Sequence, residues 1–429
     1  MIRLSERKRA LTVCQIVRFM NNCVKQGNLC SRMTAPLTAL SALNFFLADA
    51  RDGLGPFLDA YLITKGWTPF DLGVLATIGG IVGIVGGAPA GAFVDATCHK
   101  RTLVVVPITL ITILAFVTLI YPIGFTVFTT QFITSAAGLV IGPAVMAITL
   151  GLVGKELFGR QISRNAVWDH TGNILLIGGT YLVSQWGGIS GVTALMVVTT
   201  LATAMAVLAI DRSKIDHAVA RGLNRRTEGL GPSQFKRLLS NKALFLLAGT
   251  LMIFHFGNAP IARLISQQFA RELQQPFQTT AIIIGVGQIS SIVGAVLAPY
   301  AVERIGLRWT ILLSLGSLPI RGILAAQMSG FAMIYPVQVL DGVGAGLLGI
   351  LTPLAVERLL VGTGHFNFGL AAVLTVQGLG ATSSNIVAGF IVDHYGYGTA
   401  YLFHGLVAVF AVALFIIVGK KIERCDGID

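Results

Sequence analysis

Charge is scarce in this sequence. Only 12% of its 429 residues are Asp, Glu, Lys or Arg, where a soluble domain carries about a quarter. With 54% hydrophobic residues and a mean hydropathy of +0.77, that shortage excludes a soluble enzyme and a disordered chain. Cysteine is sparse as well. Cys14, Cys23, Cys30, Cys98 and Cys425 have no framework spacing, which excludes a disulfide scaffold and reads as unpaired thiols on a reducing side. No metal-ligand pair occurs among them. The glycine-rich runs Gly79–Gly91 and Gly342–Gly349 lack a following GKS or GKT and lie in apolar stretches. They read as close helix contacts and not as phosphate loops. A pump with its own nucleotide site is thereby excluded, no catalytic constellation is present, and no cofactor is expected.

What the sequence has is apolar length. A bilayer span needs roughly 20 mostly apolar residues. Such runs fall at 37–63, 70–94, 102–121, 125–153, 164–185, 189–210, 243–265, 278–302, 309–328, 332–355, 368–391 and 399–419. The expected fold is an all-α polytopic membrane protein with twelve transmembrane helices in two pseudo-symmetric bundles. Residues 1–36 form a basic tail, 37–210 the N-terminal six-helix bundle, 211–242 a basic linker, 243–419 the C-terminal six-helix bundle and 420–429 a second tail. The linker holds eight Lys/Arg against three acids.

The net charge of +12 follows from orientation. With the N-terminus inside, the tails and inner loops hold 26 of the 31 basic residues, which satisfies the positive-inside rule. Lys65 and Arg271 lie on the opposite side, and Arg263 near a span end. The expectation is a multi-pass protein of the cell (inner) membrane with both termini cytoplasmic and no nucleic-acid partner. Residues 1–33 carry seven Lys/Arg and no apolar core of secretory-signal length. They read as a basic surface segment, as sequence upstream of a true start at Met33, or as a transit-like head.

The chain also repeats itself. A shift of 208 residues aligns Gly138 with Gly346, Gly154 with Gly362, Phe158 with Phe366, Gly172 with Gly380 and Asp95 with Glu303. Two parallel repeats suggest bundles rocking about a mid-membrane site. Asp95 lies in GAFVDATCHKR, Gly91 to Arg101. This stretch resembles the loop signature of the major facilitator superfamily, G-x-x-x-D-x-x-G-R-[KR]. Gly91, Asp95 and Lys100 match, Arg101 adds a cation, and Cys98 and His99 depart. A related G-x-x-x-D-x-x-G recurs at Gly389, Asp393 and Gly396. The resemblance covers about residues 37–420 and implies secondary transport by alternating access. It also implies a conformational latch at Gly91, Asp95, Lys100, Arg101 and Glu303, with Asp95 meeting a helix N-terminus or a cation of the opposite half.

Ionisable residues at bilayer depth cost at least ~2.5 kcal/mol each and so mark candidate sites. Asp49 and Asp52 share one face of span 1, Arg51 lies beside them, and Gly53, Gly55 and Pro56 loosen the helix. Two carboxylates three residues apart raise one pKa and suit a proton carrier; a closed Asp–Arg pair is the structural alternative. Asp59, nearer the outer end, reads as a solvated mouth residue. Arg321 and Asp341 fall about ten residues on either side of the turn at Gly330, so they are expected to pair, with Asp341 the functional partner. His255 and Asn258 in span 7 correspond by the 208 shift to the charged stretch of span 1, and the resemblance places both spans at the central cavity. Asp169 and His170 lie shallow in span 5. Gln131, Gln288, Gln377 and Asn385 suit interhelical hydrogen bonds equally well.

These readings give a monomeric secondary transporter for a small polar organic solute, with protons and the lipid bilayer as its other partners. The resemblance speaks against drug antiport, because drug–proton antiporters of that superfamily often carry a Gly-Pro signature in span 5 and an arginine in span 4, and this sequence has neither there. Proton-coupled efflux of a metabolite, with a siderophore-like molecule as one candidate cargo, is the leading expectation. Uptake of an organic acid or sugar is the alternative, and a transporter-like membrane sensor is a second of another class.

Overall fold

The computed structural model describes residues 35–50, 54–220, 241–360 and 366–424. Among them no β-strand occurs. Helix α1 spans Ala35–Ala50, α2 Pro56–Thr64, α3 Pro69–Ala96, α4 Thr102–Ile120, α5 Gly124–Gly138 and α6 Ile141–Leu208. Then follow α7 (His217–Ala220), α8 (Lys242–Leu273), α9 (Pro276–Ala326), α10 (Ile334–Leu360) and α11 (Phe366–Arg424). The helices begin where sequence allows. Pro56, Pro69 and Pro276 stand in first turns, where a missing N–H costs nothing. Thr68 and Asp71 form a capping box, and Asn241 caps α8 through Ala243 N and Leu244 N at 3.2 and 3.1 Å.

Among the described residues, eight helical stretches are long and apolar enough to cross a membrane. Several exceed one crossing. The 68 residues of α6 would extend about 100 Å as a straight helix, against a hydrocarbon core of ~30 Å. The backbone turns at positive-φ glycines: Gly154 and Gly188 in α6, Gly306 in α9 and Gly396 in α11. Gly396, at φ 82 and ψ 166, occupies backbone space that a Cβ makes nearly inaccessible. Gly188 and Gly396 are 208 residues apart, so the internal repeat extends to the turns.

Large apolar side chains coat the outside, with Phe125 83%, Trp186 92% and Phe410 69% exposed. Such a surface suits lipid. Inside, one core cluster draws only on residues 244–415 and a second only on 39–220. A third joins residues from Leu54 to Met196 with Ala270 and Phe277, tying the two cores together at one end. Glycine sets the closest approaches: a Cβ at Gly172 would strike Phe45 O, and one at Gly380 would strike Met252 O. These two contacts are repeat equivalents to within one residue.

The run at 125–153 is one candidate crossing, Gly124–Gly154, whose helix is interrupted for two residues after Gly138, between α5 and α6. The segment expected to be linker is ordered at its start, where Ile215 and Ala220 join the second core and Asp216 N donates to Gly151 O at 3.0 Å. Apolar side chains every few residues anchor it.

Candidate functional site

The polar cluster with the deepest burial lies among α8, α9 and α10. Glycines bring these helices together. Gly342 and Gly346 abut Ser290 and Ser291, and Gly322 abuts Gly405 and the Tyr401 carbonyl. Asp341 directly precedes Gly342 in the contact between α9 and α10, whereas Gly322, after Arg321, packs on α11. Arg321 Nη1 lies 2.9 Å from Asp341 Oδ1 and donates to Asn258 Oδ1 at 2.8 Å. Arg321 Nη2 donates to Gln338 Oε1 at 2.9 Å. Asn258 Nδ2 donates to Asp341 Oδ1 at 3.1 Å, and Gln338 Nε2 to Ile283 O at 3.2 Å. The arginine side chain is fully buried, whereas that of Asp341 is 20% exposed. Asp341 Oδ2 faces Gly287 and accepts no protein hydrogen bond among the described residues. His255, one turn before Asn258, is half-buried and near enough to Asp341 to feel its charge. The buried guanidinium is paired through both Nη atoms with a carboxylate and two amides, its Nε is buried without a protein partner among the described residues, and one carboxylate oxygen is left for a proton or a solute.

Sequence reasoning missed Gln338, although it sits one turn before Asp341 on the same helical face. Arg51, Asp52 and the side chain of Asp49 lie outside the described residues.

A second constellation joins the two sets of helices. Arg263 Nε donates to Asp59 Oδ2 at 2.6 Å, and Nη2 pairs with the same oxygen. Arg263 Nη1 donates to Asn385 Oδ1 at 2.9 Å, and Gln267 Nε2 to Asp59 Oδ2 at 3.4 Å. Asp59 is therefore no solvated mouth residue. It is 5% exposed, because α8 closes over it. Nearby, Asp393 accepts from Phe70 N at 3.2 Å at the start of α3, and Thr77 Oγ1 donates to Thr382 O at 3.1 Å. Gly73 and Gly80 abut Asn385 and Thr382, yet Gly83, Gly87 and Gly91 further along α3 face open space. Helices α3 and α11 meet at the Asp59 end and diverge toward the other.

At that other, basic end, Asp95 and Glu303 are exposed. Lys100 is buried and its Nζ donates to Val94 O at 3.0 Å. Arg101 Nη1 donates to Leu208 O and Ile210 O at 3.1 and 2.6 Å, satisfying carbonyls at a helix C-terminus. These bonds stay within the first set of helices. Asp169 accepts from Asn173 Nδ2 at 3.3 Å, and His170 is exposed.

A multi-pass helical protein with a paired charge cluster in its spans, and two cores tied together at one end, is by class a membrane transporter. The chain belongs to the major facilitator superfamily of secondary transporters: the profile of the MFS_1 like family matches residues 37–403. Uncharacterized MFS-type transporters of Mycobacterium tuberculosis, strains CDC 1551 and H37Rv, are each 35% identical to it over 385 residues, 88% of this chain and 92% of theirs. Among solved structures, the nucleoside transporter NupG superposes with a TM-score of 0.71 at 19% identity, over 90% of this chain and 100% of that one. A D-xylose–proton symporter superposes with a TM-score of 0.64 at 11% identity, over 89% and 96%. These neighbours overturn the expectation of metabolite efflux with a siderophore-like cargo. Composition set no direction, and the solved transporters sharing this fold handle a nucleoside and a pentose.

Proposed function

We propose that the protein imports a small, hydroxyl-rich solute of the sugar or nucleoside type, driven by protons. The observation that carries this reading is the half-satisfied carboxylate of Asp341 against the fully buried Arg321. Protonation of Asp341 removes the countercharge of Arg321 and loosens the Asn258 Nδ2–Asp341 Oδ1 bond, so that the Asn258 amide suits a solute hydroxyl. Loss of that proton to the cytoplasm restores the pair and releases the solute. Asp49, Arg51 and Asp52 in span 1 are further candidates for proton coupling in this reading, as is His255. The names of the similar structures, a nucleoside transporter and a proton symporter, support it.

The architecture that goes with this mechanism is twelve spans in two bundles, 37–210 and 243–419, acting as a monomer in the inner membrane. Dividing the three longest stretches at Gly188, Gly306 and Gly396 and adding the first helices supports that number. The charge distribution supports a cytoplasmic position for both termini and the basic end. The conformer is then open inward, with the latch around Gly91, Asp95, Lys100, Arg101 and Glu303 released.

Purified protein in liposomes with an imposed pH gradient, offered labelled nucleosides and sugars, tests the reading. The wild type should accumulate one of these solutes. The double variant Asp341→Asn/Arg321→Gln should lose gradient-driven accumulation but keep solute counterflow. Accumulation by that variant at the wild-type level would move coupling away from Asp341.

A further inference from the structure

The basic end holds a second built cavity, distant from Asp341 and independent of cargo or direction. It measures about 130 Å³ and lies between the loop joining α3 to α4 and the segment following α6. His99, Lys100, Arg101, Arg212 and His217 line it, together with Val105, Val106 and Leu208. Lys100 is engaged with Val94 O, and the arginines and His217 carry the capacity for a ligand. Arg212 is exposed and makes no side-chain bond to protein among the described residues. Arg101 spends only Nη1 on the Leu208 and Ile210 carbonyls. His217 Nδ1 is buried without a protein hydrogen bond.

Two acids adjoin the cavity, and neither lines it. Asp211 accepts from Ser213 N at 2.9 Å and from Ser213 Oγ at 2.8 Å. Those hydrogen bonds hold its carboxylate below the usual range, with Lys214 and Arg101 adding to the effect. Asp216 caps α7 through Val219 N at 3.0 Å. The opposite wall of the cavity belongs to the hydrocarbon, since Val106 is 56% and Leu208 57% exposed on the lipid-facing surface. Cations against an apolar strip, at the end of a span, match a molecule that is anionic at one end and a hydrocarbon chain beyond it.

We propose that this cavity binds the phosphate headgroup of an anionic phospholipid, whose acyl chain runs along Val106 and Leu208. The site ties the lipid to the loop of Asp95, Lys100 and Arg101, so lipid composition bears on that loop directly.

Native mass spectrometry of the full chain, delipidated and titrated with phosphatidylglycerol or with phosphatidylcholine of identical acyl chains, tests the proposal. Phosphatidylglycerol should be retained in preference to phosphatidylcholine, and equimolar inorganic phosphate should not displace it. Arg212→Ala should lower its occupancy about five-fold, the effect of one interfacial cation. Arg212→Lys should preserve it, and so should Lys214→Ala, which removes a charge from the same turn outside the cavity. Equal losses from Arg212→Ala and Lys214→Ala would reduce the site to general surface charge and overturn the proposal. Equal retention of the two lipids, or displacement by phosphate, would overturn it as well.

Discussion

A guanidinium without solvent exposure cannot shed its charge, because arginine stays protonated at any pH a cell reaches; a carboxylate can. Arg321 and Asp341 are therefore unequal partners. Asp341→Asn alone strands the buried Arg321 charge and should cost about 3–5 kcal/mol. Adding Arg321→Gln should restore most of that loss. Denaturation in detergent, followed by tryptophan fluorescence, measures both, and a double variant no more stable than the single one would refute the argument. The prominence of these two charges was legible in the sequence, since each interrupts an apolar run. Their partners were harder to read. Gln338 looks like any amide in a span, and nothing local to Asp59 says that Arg263, 204 residues later, closes over it. The 208 shift held a partial signal, because it equates Asp59 with Gln267. Equivalent positions touch only beside the axis relating two repeats, and these two do.

Helix limits obey a simpler physics than side-chain pairing. Apolar runs count spans because every backbone polar group in lipid must be bonded within its own helix, so the runs predicted most elements to within a few residues. They do not show where a linker carries enough apolar residues to dock, as Ile215 and Ala220 do. The turns rest on glycine. Gly396→Ala places a Cβ at φ 82 and should destabilise by about 1–3 kcal/mol. Gly87→Ala, within α3 and facing open space, should instead stabilise by about 0.5–1 kcal/mol. Thermal unfolding of the two variants side by side checks the contrast, and similar shifts of the same sign would show that the Gly396 backbone is not needed for the turn.

At the scale of the whole molecule, the two helical cores are joined by a third cluster at one end, and in the proposed rocking the contacts between them decide which state is populated. Asp59, Arg263 and Asn385 form the charged contact of that junction, next to the Phe70 N–Asp393 bond and the packing of Gly73 and Gly80 on α11. Opening this end requires Asp59 to leave Arg263, and so to expose both charges or find them other partners. Asp59→Asn weakens the clasp without changing its shape, and a loss of about 1 kcal/mol shifts the balance of states about five-fold. Cysteines placed at Thr77, which is covered by Thr382, and at Gly87, which faces the diverging gap, report the two ends separately in a background without native cysteines. In the Asp59→Asn variant, labelling at position 77 should accelerate several-fold while labelling at 87 slows. Both rates rising together would indicate loosening of the helices. Both remaining at their parental values would mean that the glycine contacts of α3 with α11 hold this end shut without the ion pair.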